Sequence, residues 1–160
     1  VTQPTFAVFD IDGVLADVTH RLHHIRGRRR DWAGFFADAA EDPLLLEGHQ
    51  RAVDAARDHA LVYLSGRPER LRVVTQEWLE RHGLPAGALM LRGDRDRRPA
   101  RVLKPEVLAR VAAEGPIAFV VDDDKAVCDA LRQRGYSVVH ATWAAEAEIL
   151  WRAQEGGGRT

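Results

Sequence analysis

A chain of 160 residues, 46% hydrophobic and 29% charged with a formal net charge of −1, reads as one soluble globular domain with room for a real core. Cys128 is the only cysteine, which excludes a disulfide framework and a thiolate metal cluster and suits a reducing cytoplasm. No apolar run approaches the ~18 residues of a membrane span and the start carries no basic-then-apolar signal pattern, so the expectation is a cytoplasmic protein with no membrane partner.

The first element is the apolar run from Phe6 to Phe9, bounded by Pro4 and Gly13, the pattern of a strand buried on both faces. It ends at Asp10. With a period of two, Asp10 and Asp12 face one side while Ile11 turns toward the core, and Gly13 permits a sharp exit. Two carboxylates this close repel unless a cation neutralises them, and an oxygen-rich site with few other ligands suits magnesium. A bare pair of this kind is equally compatible with solvated carboxylates at a strand end, so the remaining elements decide.

From Val14 to Ala60 the pattern turns helical and polar. Arg21, Arg26, Arg28, Arg29 and Arg30 gather positive charge that attracts anions, although a solvated face is the ordinary role of such a run. His20, His23 and His24 have helical spacing but no acidic or cysteine partner nearby, and a solvated face accounts for them more simply than a metal site. Asp31 is placed to cap a short helix whose Trp32, Phe35, Phe36 and Ala39 share one face, and a second helix is predicted over residues 47–59.

Ala60 to Ser65 repeats the design of the first strand, with a hydroxyl at its end. Gly66 leaves an unobstructed N–H and Arg67 a bidentate fork, which together suit a phosphoryl oxygen, while Pro68 also fits an ordinary strand-to-helix turn. An amphipathic helix over residues 69–82 closes at Gly83, and a third strand, Ala88 to Leu91, runs into the charged loop from Arg92 to Arg98. A helix is predicted to open at Pro105, which puts Lys104 at a helix start that prefers anions, a conflict that a bound phosphate would resolve. The fourth strand, Ile117 to Val121, ends in Asp122, Asp123 and Asp124. A helix over Lys125–Gln133, a strand over Tyr136–Val139 and a helix over Trp143–Arg152 complete the chain.

The order βαβαβαβαβα with charge collected at the strand ends predicts an α/β fold, a doubly wound Rossmann-like parallel sheet with helices on both faces. One domain is expected over residues 1–153, with a small helical cap insertion at about 17–46 and a disordered tail over 154–160. Asp10, Asp12, Ser65, Lys104 and the Asp122 cluster then meet at one edge of the sheet. That set suits phosphoryl transfer to a carboxylate, in which a metal and Lys104 neutralise the phosphate, Asp10 attacks in line and Asp12 serves as general acid and base.

The chain resembles the haloacid-dehalogenase superfamily of phosphatases over nearly its whole length, through DxDGV at Asp10 to Val14, the strand ending in Ser65, Lys104, and the strand ending in Asp122 and Asp123. The resemblance implies Asp10 as nucleophile, Asp12 as general acid/base, Ser65 and Lys104 as phosphoryl anchors, and magnesium held by Asp10, the Asp12 carbonyl and Asp123, with Asp122 beside the metal. A narrower similarity, to the phosphatase domain of polynucleotide kinase-phosphatases, lies in Arg21, in Ser65-Gly66-Arg67, in Arg92, Asp96 and Arg98 before Lys104, and in the span from Asp122 to Gly135. It implies Arg21, Gly66, Arg67, Arg92 and Arg98 as substrate-binding residues and a nucleic-acid end as the phosphorylated partner. No GxxxxGK[ST] phosphate loop is present, and Asp124 stands where that family tends to be basic. The expected reaction is magnesium-dependent removal of a 3′-phosphate from nucleic-acid ends. A small-molecule phosphatase or nucleotidase, and a receiver-type phospho-acceptor domain, are the alternatives; an acceptor on the first strand speaks against the receiver.

Overall fold

The computed structural model describes residues 3–158. Strands β1 (Phe6–Phe9), β2 (Ala60–Pro68), β3 (Gly87–Arg92), β4 (Ile117–Asp122) and β5 (Val138–His140) form one sheet in the order β3-β2-β1-β4-β5, and every neighbouring pair is parallel. Helices α1 (Trp32–Ala37), α2 (Leu46–Ala55), α3 (Arg72–Arg81), α4 (Ala100–Glu114), α5 (Lys125–Gln133) and α6 (Ala147–Gly157) complete the α/β architecture expected from the sequence. Among the described residues no helix is long and apolar enough to cross a membrane.

Alternation along the strands builds two cores. Ala7, Phe9, Leu61, Tyr63 and Val121 face α2 and α3, through Ala52, Ala55, Trp78 and Leu79. Val8, Val62, Leu64 and Val120 face α4 and α5, through Leu103, Val107, Leu108, Val127 and Leu131. Because both faces are covered, the strands read as continuous apolar runs, and the polar residues collect at their carboxyl ends. Between β1 and α2 lie a 3-10 helix over Thr19–His24, then α1, whose N-terminus Asp31 caps by accepting from the Gly34 N–H, then a second 3-10 turn over Ala39–Glu41. Val18, Leu22, Ile25, Phe35 and Phe36 of this insertion form a third cluster with Leu150 and Ala153 of α6.

Three expectations are corrected. Helix α4 opens at Ala100, so Lys104 sits inside it and Pro105 is interior. The proline forfeits one ladder bond, while its buried ring packs with a helix face that carries Leu103, Val107 and Leu108 into the core. The last helix starts at Ala147 because Trp143 is held in the core, its indole donating to the Val14 carbonyl at 2.9 Å, and Glu146 takes a left-handed φ of 54° that breaks the chain direction. It then runs through residues 154–157, where a disordered tail was expected, because Ala153 and Gln154 are buried against neighbouring elements; residues 159–160 lie outside the described residues.

Helix α2 approaches the turn after β1 closely. The Leu45 N–H donates to the Leu15 carbonyl at 2.7 Å, and a Cβ at Gly48 would overlap the Val14 carbonyl oxygen. This contact holds the turn that carries Asp12. Gly48→Ala is therefore expected to destabilise the protein by about 1–3 kcal/mol through overpacking, although alanine is the better helix former. Urea denaturation checks it; a gain in stability would show that the helix can shift without cost.

Candidate active site

The strand order reverses between β1 and β4, the place where open parallel sheets leave a crevice. Asp10 continues β1 with its N–H on the Val121 carbonyl at 2.9 Å. The chain then doubles back in a tight turn, with Leu15 N–H on Ile11 O at 2.8 Å and Gly13 N–H on Ala16 O at 2.9 Å. Gly13 is required twice over, since its φ is +80° and a Cβ there would collide with the Asp123 carboxylate.

Asp10 from β1 meets Asp122 and Asp123 from the end of β4, each offering a carboxylate oxygen within 4.8 Å of the others, and all three side chains are buried. Lys104 reaches them from α4. Its Nζ donates to Asp122 Oδ2 at 2.6 Å and lies 3.0 Å from Asp10 Oδ2. Three carboxylates against one ammonium leave two negative charges without a counter-charge when all are ionised. Both oxygens of Asp123 have no hydrogen-bond partner, and Asp10 Oδ2 faces the Lys104 ammonium that Asp122 already shares. Burial raises Asp10 to about 7 despite Lys104, and burial together with Asp10 and Asp122 puts Asp123 well above the ordinary carboxylate range. Burial would lower Lys104, but Asp10 and Asp122 outweigh it and hold the ammonium charged. Orphaned, buried, all-oxygen donors short of two positive charges fit a hard divalent cation held by Asp10, Asp122 and Asp123.

Asp12 belongs to a second, balanced cluster. Its Oδ1 accepts from Arg67 Nε at 3.0 Å, Arg67 Nη2 at 2.5 Å and Arg21 Nη2 at 3.0 Å. Both arginines also clamp Asp42, which accepts from Arg21 Nε and Nη2 at 2.7 Å each and from Arg67 Nη2 at 2.9 Å. His20 shares Asp42 Oδ1 at 2.7 Å, the Trp78 indole donates to the Asp42 carbonyl at 2.8 Å, and Thr75 Oγ1 is 3.3 Å from Arg67 Nη1. Two guanidiniums and two carboxylates, all buried, neutralise one another. The Asp12 side chain is thus turned toward the arginines and stands apart from the carboxylate trio.

The remaining predicted residues divide. Ser65, expected at the end of its strand, is buried within β2, which runs on to Pro68 past an irregularity in its pairing with β3 after Leu64, and its Oγ accepts from the Arg67 N–H at 3.2 Å. Arg92, also buried, donates to the Gly66 carbonyl at 3.1 Å and to the Arg98 carbonyl at 2.6 Å, so it ties this stretch of β2 to the segment that follows β3. Arg98 stands outside the cluster, half exposed and paired with Asp96 and Glu106. Asp124 caps α5 through the Ala126 and Val127 N–H groups, and burial with the nearby Glu155 carboxyl pushes it up to about 8. Sequence reasoning missed Asp42, and with it Thr75, Trp78 and His140, whose ring lies 2.9 Å from the Asp123 carbonyl. The one available signal for Asp42 was charge balance, since Arg21 and Arg67 cannot both be neutralised by Asp12.

Two outcomes follow from this geometry. Asp42→Asn leaves two buried guanidiniums with one carboxylate and is expected to cost about 3–5 kcal/mol, read by denaturation; a near-neutral change would mean that the network relaxes. For the trio, the folded protein without metal keeps a proton on Asp10 up to about pH 7 that the unfolded chain loses near 4, so stability falls as pH rises between them. A bound cation favours the ionised form, so the rise in Tm given by magnesium should be larger at about pH 8 than at about pH 5. An equal rise at both would place the cation elsewhere.

The model of the polynucleotide kinase PNKP phosphatase domain family matches residues 4–144. No curated protein matches the chain. Among solved structures, a chain of a Pnkp1/Rnl/Hen1 RNA repair complex superposes with a TM-score of 0.73 at 21% identity over 89% of this chain and 44% of that one, so this chain spans less than half of that relative's length. The haloacid dehalogenase-like hydrolase SP0104 from Streptococcus pneumoniae superposes with a TM-score of 0.59 at 12% identity, covering 96% and 92% of the two chains. The HAD family enzyme bt-2542 from Bacteroides thetaiotaomicron, in complex with magnesium and inorganic phosphate, gives 0.53 at 10% identity, covering 93% and 100%. With the family match spanning both acidic strand ends, Ser65 and Lys104, the chain belongs to the polynucleotide kinase PNKP phosphatase domain family, within the haloacid-dehalogenase-like fold.

Proposed function

We propose that the chain is a magnesium-dependent phosphomonoesterase that removes 3′-phosphates from nucleic-acid ends through an aspartyl-phosphate on Asp10. The observation that carries the reading is the carboxylate trio, buried, short of two positive charges and served by one lysine. Such a cluster is costly as a structural element and useful as a receptor for a cation and a phosphoryl group. The family match supports the chemistry, the magnesium and phosphate bound by a relative of this fold support the ion, and the RNA repair complex supports the class of substrate. The exposed Arg28 and Arg29 of the insertion suit a polyanion, and the insertion serves as the cap of the site. A reducing, cytoplasmic setting goes with the lone, buried and free Cys128.

In this mechanism an Asp10 oxygen attacks phosphorus, the bond to the leaving oxygen breaks, and Asp12, entering this step as the protonated acid, gives that oxygen its proton and is left as the carboxylate that the arginines hold. Asp12 then takes a proton from water as the water opens the acyl phosphate and releases inorganic phosphate. Lys104, held 3.0 Å from Asp10, offsets the negative charge of the phosphoryl group. The Ser65 hydroxyl and the Gly66 N–H bind its oxygens on the stretch of β2 that Arg92 holds through the Gly66 carbonyl. Arg21 and Arg67 fix the orientation of Asp12 instead of meeting substrate themselves. Magnesium held by the trio would add positive charge against the same phosphoryl oxygens.

Asp10→Asn is expected to abolish turnover while the fold survives, and Asp12→Asn to slow it by about 10²–10⁴-fold with phospho-enzyme accumulating. Phosphate release from an aryl phosphate, a mononucleotide and a 3′-phosphorylated oligonucleotide, compared across salt concentrations, tests the substrate. A preference for the oligonucleotide that shrinks as salt rises is expected. Equal rates on all three at low salt would assign the site to small molecules.

A further inference from the structure

The groups of the site are closed off from solvent: Asp10, Asp12, Ser65, Lys104, Asp122 and Asp123 are each at most 2% exposed. An open groove of about 430 Å³ lined by Arg51, Asp58, His59 and Phe119 touches none of them. Helix α6 lies beyond residue 144, where the family match ends, and it bridges the two sides of the crevice. On one side Ile149, Leu150 and Ala153 pack on the insertion, Glu146 pairs with Arg26, and Arg30 Nη1 donates to the Ala153 carbonyl at 3.4 Å. On the other, Glu155 reaches the start of α4, and Gly158 lies against the Arg97 carbonyl so closely that a Cβ there would overlap it.

Glu155 is seated at the start of α4, with the buried Asp124 carboxyl beside it. Helix α4 is 15 residues long and opens at Ala100, with no side-chain cap from Pro99 before it and no acidic residue in its first turn. Glu155 Oε1 accepts from the Arg101 N–H at 3.2 Å, and its other oxygen pairs with the Arg101 guanidinium, with Arg92 close enough to feel its charge. A helix start and a guanidinium that converge on one carboxylate would hold one phosphodiester oxygen pair equally well, since each carries a single negative charge.

We propose that α6 is an intramolecular strap over the site whose Glu155 carboxylate stands in for a backbone phosphate at the start of α4, so that a polyanionic strand opens the site by displacing it. The identity of the displacing strand rests on the reading of the function given above; the strap does not. Its attachment is built for release. The Glu146–Arg26 pair is exposed on both sides and so worth little, and a groove of about 420 Å³ lined by Ile25, Arg26, Arg30, Ile149, Arg152 and Ala153 runs beside the packed contact that Leu150 and Ala153 make with the insertion. Hinges exist at both ends, the left-handed Glu146 and the glycines at 156–158.

The test compares Glu155→Gln and Arg101→Gln with the unaltered chain, reading kcat/KM on a small aryl phosphate and on a 3′-phosphorylated oligonucleotide, and amide hydrogen exchange over residues 147–157. Glu155→Gln is expected to speed exchange of α6 and to raise kcat/KM several-fold on both substrates. Arg101→Gln should release the strap and raise the aryl phosphate rate alike, yet leave the oligonucleotide several-fold below Glu155→Gln because the phosphate seat is lost. Unchanged aryl phosphate turnover in Glu155→Gln, whether or not exchange rises, overturns the strap. Equal oligonucleotide rates in the two variants overturn the phosphate seat. If both variants gain on aryl phosphate while the unaltered chain shows no preference for the oligonucleotide, the strap stands and the polynucleotide reading fails.

Discussion

Three carboxylates buried around one ammonium set the terms for the rest of this protein. Ionised, Asp10, Asp122 and Asp123 repel one another in a medium that screens them poorly, and Lys104 can neutralise one of the three. Without a further cation the cluster answers by holding protons, as the raised Asp10 and Asp123 show, and leaves both Asp123 oxygens without a hydrogen-bond partner. The fold tolerates this because the trio sits at the switch point of a parallel sheet, where β1 and β4 bring their carboxyl ends together and the two cores on either face supply the stabilisation the site lacks.

The second cluster obeys the opposite rule. Asp12, Arg21, Asp42 and Arg67 cancel one another's charge inside the protein, so nothing further need bind there, and the network serves to hold one carboxylate in one orientation. Its members come from four stretches of chain: the turn after β1, the 3-10 helix, the segment before α2, and β2. The insertion between β1 and α2 therefore contributes Arg21 and Asp42 to the network that holds Asp12. Three aromatic side chains, Trp32, Phe35 and Phe36, anchor that insertion, with Phe35 also lying 4.1 Å under the Arg21 guanidinium.

An arginine-biased chain puts one residue type to several uses, and burial separates them. Arg21 and Arg67 orient a carboxylate, Arg92 ties β2 to the segment that follows β3, Arg101 seats an acidic residue of α6, and Arg28 and Arg29 remain at the surface. The cost of burying a guanidinium is offset in the first two by paired carboxylates. Arg92 donates to the Gly66 and Arg98 carbonyls and has Asp96 at 3.9 Å, and burial lowers it to about 10.

The sequence by itself determined whatever depends on local pattern. Apolar runs of strand length ending in polar residues placed β1, β2 and β4, and with them Asp10, Ser65 and the Asp122 cluster at one edge; Asp31 and Gly83 marked helix ends through capping and left-handed backbone preference. Only the tertiary structure decided what depends on which groups meet across long separations. Asp42 carries no local signature, because its role arises from two arginines at positions 21 and 67 that a single Asp12 cannot neutralise. Pro105 reads as a helix start until the packing of Leu103, Val107 and Leu108 outweighs the bond it loses, and the glycine-rich end of the chain reads as disordered until burial of Ala153 and Gln154 holds it in α6. Pattern fixes where a side chain points along its own element, whereas charge compensation and burial are settled between elements, and those two quantities gave this site its final arrangement.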